Sequence, residues 1–98
     1  DNVAIRCQVN TSISALVQKG DLSERLVEQL VNIFQWDIDF ERDVRAGDQL
    51  TIIYDSHQKN RKDGKILAAE FINQGNVYRA IRYTDTAGLV YQSFSGVT

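Results

Sequence analysis

Two kinds of hydrophobic spacing divide this chain. In DLSERLVEQLVNIFQW, residues 21–36, Leu26, Val27, Leu30, Val31 and Phe34 recur at the i, i+4, i+8 spacing of one helix stripe. Asp21 and Glu24 stand three apart at its head and predict a capping-box-like start. The shorter NTSISALVQKG, residues 10–20, offers cap residues, the apolar Ile13, Leu16 and Val17, and a stopping Gly20, so it predicts a first helix of about two turns. Ahead of it VAIRCQV, residues 3–9, is apolar and β-branched enough for a leading strand.

Beyond residue 48 the period falls to two. LTIIYD (50–55) predicts a strand, SHQKNRKDG (56–64) a polar basic loop, and KILAAEFI (65–72), VYRAIRY (77–83) and LVYQSF (89–94) further strands joined by NQGN and TDTAG. The short NQGN connection sets Ile72 against Val77, Phe71 against Tyr78, Glu70 against Arg79, Ala69 against Ala80 and Ala68 against Ile81, a matching that antiparallel pairing rewards. The expected fold is therefore α+β, two N-terminal helices packed on a mainly antiparallel sheet in the order β-α-α-β-β-β-β.

In that register neither face of the hairpin is cleanly polar. One carries Ile66/Tyr83, Ala68/Ile81 and Ile72/Val77 around Glu70/Arg79; the other carries Leu67, Ala69/Ala80 and Phe71/Tyr78, with Arg82 near the end. A half-solvated sheet should alternate. The helices are expected to cover one face and another domain part of the other, with Phe71, Tyr78, Arg79 and Arg82 as candidate interface residues.

Composition narrows the function classes. Ninety-eight residues make one domain, with 43% hydrophobic and 24% charged residues as in ordinary globular chains. No apolar run reaches the roughly 18–20 residues that a membrane span needs. The start at Asp1 and the lack of methionine lead us to expect a processed or excised piece of a longer chain. Cys7 is the one cysteine and has no internal disulfide partner. A net charge of −2 conceals residues 19–48 at −4 and residues 57–82 at +4, a dipolar layout suited to orienting a domain against a neighbour.

The stretch WDIDFERDVRAGDQL, residues 36–50, concentrates the acids. Counted from Asp37, acidic residues fall at positions 1, 3, 5, 7 and 12, the outline of a calcium loop. Arg42 stands where such a loop needs glycine, Asp48 replaces the bidentate glutamate, and a strand pattern follows instead of a helix. The expectation is an architectural corner built by Trp36, Asp37, Ile38, Asp39, Phe40, Arg45, Gly47 and Asp48. In an extended segment Trp36, Ile38 and Phe40 share one side, each worth about 1.5–3 kcal/mol on burial. The short carboxylates then accept backbone N–H bonds in turns, Arg42 and Arg45 pair with them, and RAGD turns the chain into the next strand.

Other chemistry finds little support. His57 lies in the polar loop and Cys7 in a strand pattern, where an inert thiol is usual. A zinc site needs about three protein ligands, more than one histidine supplies. Asp21, Glu24 and Glu28 against Arg25 alone would repel phosphate from the second helix, and HQKNRKDGK has no interleaved aromatic for stacking on single strands. No metal, catalytic or nucleic-acid site is expected.

LVNIFQWDIDFERDVRAGDQLTIIYD followed by ILAAEFINQGNVYRAIRYTDTAG resembles the domain that precedes the catalytic domain in cell-envelope, lysostaphin-like (LytM-type) zinc endopeptidases of Gram-negative bacteria. The matching residues are the run at 36–40, Arg45, Gly47 and Asp48, then AAEF at 68–71 and YRAIRY at 78–83, within a resemblance spanning about residues 12–91. It implies that residues 1–98 are a single accessory domain of a periplasmic peptidoglycan hydrolase. Zinc would sit in the separate catalytic domain, on His-x-x-x-Asp and His-x-His elements. Neither element occurs here, since Gln58, Lys59, Asn60 and Arg61 follow His57, so no catalytic residue or metal ligand carries over. The implied partners are the catalytic domain of the same chain and peptidoglycan or an envelope protein; an independent wall-glycan- or protein-binding module is the alternative. The loop at 57–63 is longer than the family pattern.

Overall fold

The backbone of the computed structural model follows the expected order: β1 (Asn2–Gln8), α1 (Ile13–Lys19), α2 (Glu24–Phe34), β2 (Gln49–His57), β3 (Asn60–Asn73), β4 (Asn76–Asp85) and β5 (Gly88–Val97). The structure describes residues 2–57, 60–85 and 88–97, with side chains described for 2–56 and 64–82. The strands form one sheet in the order β1-β2-β3-β4-β5, each antiparallel to the next. β2 through β5 follow one another with no helix between them, whereas β1 reaches β2 only through both helices. That one long connection lays the helices across a single face.

Local chemistry fixes both helices. Ser12 caps α1 by accepting from the Ala15 N–H at 3.1 Å. Gly20 ends it at φ 87°, a left-handed conformation that glycine adopts without penalty, while the Gly20 and Asp21 N–H groups close onto Val17 and Leu16 carbonyls. The expected capping box at Asp21 is not formed. Leu22 is buried and the extended Ser23 is the cap of α2, its hydroxyl accepting from the Leu26 N–H at 3.2 Å. Glu24 then occupies the first turn, where the helix dipole favours a carboxylate. The buried stripe is Leu26, Leu30, Ile33 and Phe34, with Val27 packed at its margin; Val31, one residue and about 100° from Leu30, faces outward.

The core-facing rows of the sheet are Cys7–Leu50–Phe71–Tyr78 and Ile5–Ile52–Ala69–Ala80. Tyr54 and Ile66 continue them, and with Val9, Leu26, Leu30 and Phe34 they include the largest fully buried side chains. Each such burial is worth about 1.5–3 kcal/mol.

The β3–β4 register is the expected one from Ala68↔Ile81 to Ile72↔Val77, and its ladder ends at Asn73↔Asn76. Gln74 (φ 50°) and Gly75 (φ 86°) both take positive φ, the pattern of a two-residue primed turn. The expected Ile66/Tyr83 pairing lies beyond the Ala68↔Ile81 end of this ladder. A bulge intervenes: Ile53 pairs with Ala68 but Tyr54 pairs with Ile66, so Leu67 is the extra residue and Ile66 turns to the core face.

Gln29 of α2 reaches this bulge. Its Nε2 donates to the Gly64 carbonyl at 2.7 Å and its Oε1 accepts from the Ile66 N–H at 2.9 Å, so one side-chain amide bonds two backbone groups of β3. Gly64 is required there, since a Cβ would lie 1.8 Å from the Asp55 carbonyl oxygen. The basic segment expected as a nine-residue loop is mostly strand, because β2 runs to His57 and β3 starts at Asn60. Gln58 and Lys59, like the Thr86–Ala87 part of the last expected turn, lie outside the described residues.

Candidate functional site

The acidic corner is assembled where α2 unwinds. Asp37 and Ile38 N–H groups both bond the Phe34 carbonyl, at 2.9 and 2.8 Å, so the chain continues for another helical turn and not in extended form. This overturns the expectation that Trp36, Ile38 and Phe40 share one buried side. Ile38, four residues after Phe34, stays over the core at 4% exposure. Trp36, two residues after Phe34, is rotated by about 200° and stands 88% exposed. Phe40 does turn inward, its ring centroid 6.2 Å from that of Phe34 and 5.2 Å from that of Phe71.

The carboxylates hold backbone. Asp39 Oδ1 accepts from the Glu41 N–H at 2.9 Å and the Arg42 N–H at 3.3 Å, and Asp43 Oδ2 accepts from the Asp39 N–H at 2.9 Å. Arg45 departs from its expected ion pair with them, because its guanidinium donates to the carbonyls of Arg42 and Val44. Among the described residues no three His, Cys, Asp or Glu side chains converge as a metal seat. The zinc implied by the resemblance therefore has no fitting donor set there, and no metal-assisted step is assigned to these groups.

Asp48 locks the corner. Gly47, at φ 94°, makes the third position of a tight turn closed by the Asp48 N–H onto the Arg45 carbonyl at 3.1 Å. Gly47 and Asp48 together oppose Val9, whose carbonyl accepts from Gly47 and whose N–H donates to Asp48, both at 2.8 Å. That is a glycine bulge, and it stops the β1–β2 ladder. The Asp48 side chain is buried: Oδ2 accepts from the Arg45 N–H (2.8 Å) and Asn73 Nδ2 (2.7 Å), and Oδ1 from the Gln74 N–H (3.1 Å). Asn73 Nδ2 also donates to the Asp43 carbonyl at 2.8 Å. One carboxylate thus joins the corner to the β3–β4 turn and braces Gln74 in its left-handed conformation.

The sheet face away from the helices presents two rows across four strands. Arg6–Thr51–Glu70–Arg79 is polar, and Arg79 Nε donates to Glu70 at 2.8 Å. Ala4–Ile53–Ala68–Ile81 is apolar, with Ile53 40% and Ile81 53% exposed. A shallow depression of about 260 Å³ lies between the rows. Among the described residues no helix covers this face, although Val77 at its far corner is buried.

The candidate interface residues divide accordingly. Arg79 is on the outer face. Phe71 is fully buried under the helices, Tyr78 is half-buried against the same core, and Arg82 follows their parity on β4. Ile53 and Ile81 are the residues that the sequence reading did not single out as interface candidates. Cys7 is half-buried and free; burial pushes its pKa up and the Asp21 carboxylate adds to the rise, so its thiol ionises less readily than an exposed one. No helix among the described residues is long and apolar enough to cross a membrane.

Comparison with known proteins agrees with this architecture. The chain is similar to the peptidoglycan DD-endopeptidase ShyC of Vibrio cholerae serotype O1, with 41% identity over 73 residues, and the match takes 71% of this chain and 17% of that protein. The fold is shared with a zinc containing peptidase from Vibrio cholerae, at a TM-score of 0.65 and 22% identity over 90% of this chain and 29% of that one. The chain thus spans less than a fifth of the curated relative's length. Residues 1–96 match the family described as the Csd3 second domain, and the chain belongs to that family.

Proposed function

We propose that the chain is an accessory domain of a cell-envelope peptidoglycan endopeptidase, acting in the periplasm by docking against and positioning a zinc catalytic domain of the same parent chain. In this reading the domain contributes no catalytic residue; it regulates access to its neighbour's groove through the way it docks. The observation that carries the reading is the open apolar row Ala4–Ile53–Ala68–Ile81, on a domain whose relative ShyC is a peptidoglycan DD-endopeptidase. Two half-exposed isoleucines in one row match what a domain–domain contact would cover.

The test compares release of muropeptides from purified sacculi by the parent enzyme with and without residues 1–98. A change of several-fold in rate is expected, and equal rates would overturn the reading. The exposed indole of Trp36 favours one alternative, a module that holds wall glycan by itself. Sedimentation of the isolated chain with sacculi, lost on Trp36→Ala, would establish that alternative instead.

A further inference from the structure

The first strand ends the sheet with half of its backbone groups turned away from it. Val9 exchanges hydrogen bonds with the Gly47–Asp48 bulge. Because bonded and non-bonded pairs alternate along an antiparallel ladder, Val3, Ile5 and Cys7 bond β2. The N–H and C=O groups of Asn2, Ala4, Arg6 and Gln8 therefore point outward from the edge. Among the described residues no strand lies beyond β1. Natural edges are guarded by proline, bulges or several charges. This one has an unbroken seven-residue register and a single charge, Arg6.

The strand is also self-complementary. Exposed residues 2, 4, 6 and 8 alternate with half-buried Val3, Ile5 and Cys7, a pattern symmetric about Ile5. We propose that β1 pairs with β1 of a second copy, antiparallel about a two-fold axis at Ile5, joining two five-stranded sheets into one. Asn2 then faces Gln8, and Ala4 faces Arg6, in bonded pairs that engage every outward backbone group. On the core side Ile5 meets Ile5 and Val3 meets Cys7, which extends apolar rows left half-exposed at the edge. Competing two-fold registers are poorer. Centring on Arg6 sets guanidinium against guanidinium, and centring on Ala4 leaves Gln8 without a partner. The proposal uses the outward backbone groups of the sheet edge; it shares only Ala4 with the outer-face row above and does not depend on that docking.

Sedimentation equilibrium over a concentration series should show conversion from one chain to two. Ala4→Arg keeps an exposed position exposed and places a second guanidinium against Arg6 of the other copy, at two symmetry-related places. It should raise the dissociation constant by roughly tenfold or more, since each 1.4 kcal/mol is a factor of ten. Ala4→Pro removes only an outward N–H, which an edge strand tolerates, and should give a monomer.

Register is read by Val3→Cys, which sets a thiol opposite Cys7 of the second copy. Within one chain these positions lie about 13 Å apart, too far for a disulfide. Oxidation should therefore yield a covalent dimer from Val3→Cys and none from the wild-type chain. A chain that stays monomeric at every concentration overturns the proposal, as does a dimer indifferent to Ala4→Arg or one that Val3→Cys fails to cross-link.

Discussion

Asp48 and Trp36 lie twelve positions apart in one segment and receive opposite treatment from the fold. The Asp48 carboxylate replaces water with Arg45 N–H, Gln74 N–H and Asn73 Nδ2. Asp48→Ala strands the buried Asn73 amide and two part-buried backbone N–H groups and should cost about 3 kcal/mol in urea denaturation, with Asp48→Asn near half of that because one acceptor oxygen survives. Loss of less than about 1 kcal/mol in the alanine variant would mean that water substitutes freely. Trp36 has little to lose. At 88% exposure, Trp36→Ala should shift stability by no more than about 0.5 kcal/mol, whereas Phe40→Ala, which removes the ring between Phe34 and Phe71, should cost about 3 kcal/mol. The alternation in Trp36-Asp37-Ile38-Asp39-Phe40 misleads because a run so short fits a strand and a fraying helix equally well. The two backbone bonds onto the Phe34 carbonyl decide between them, and residue types do not encode those bonds.

Elements were legible where side chains had to match across a ladder and obscure where the backbone slipped. The β3–β4 register could be read because Glu70 and Arg79 fit only one alignment around the Gln74–Gly75 turn. The bulge at Leu67 could not, since Ile66, Leu67, Ala68 and Ala69 are all apolar and a slip of one residue leaves that pattern unchanged. A signal did exist on the facing helix. Gln29 falls three residues after Leu26 and four before Ile33, inside the buried arc, where a polar side chain needs a partner. It finds two on β3. Gln29→Ala would leave the Gly64 carbonyl and the Ile66 N–H without these bonds, so about 2 kcal/mol should be lost. Hydrogen exchange gives the sharper reading: the Ile66 amide should lose protection more than Ala69 or Phe71 further along the strand. Uniform loss across β3 would instead mark Gln29 as an ordinary packing residue.

At the scale of the whole molecule, the two sheet faces carry different physical demands, and that difference can be measured. The helix-covered face holds the fold, as the buried Leu50, Ile52, Ile66 and Phe71 attest. The open face holds Ile53 and Ile81 half in water, where hydrophobic burial contributes little to the isolated domain. In the proposed docking their value depends on what a parent chain brings against them. Ile81→Glu has a small side chain, Ala68, as its cross-strand neighbour and Arg79 on the same face, so a carboxylate there is sterically and electrostatically tolerable. In the isolated chain the melting temperature should move by no more than about 5 °C, the scale of 1 kcal/mol for a domain this size. In the parent enzyme the same substitution would set a charge within a contact expected to exclude water. It should change the rate of sacculus cleavage in the same direction as removal of residues 1–98. Equal cleavage by the variant and the unaltered parent would show that Ile81 stays solvated throughout, and the docking face would have to be sought at Trp36 or along β1.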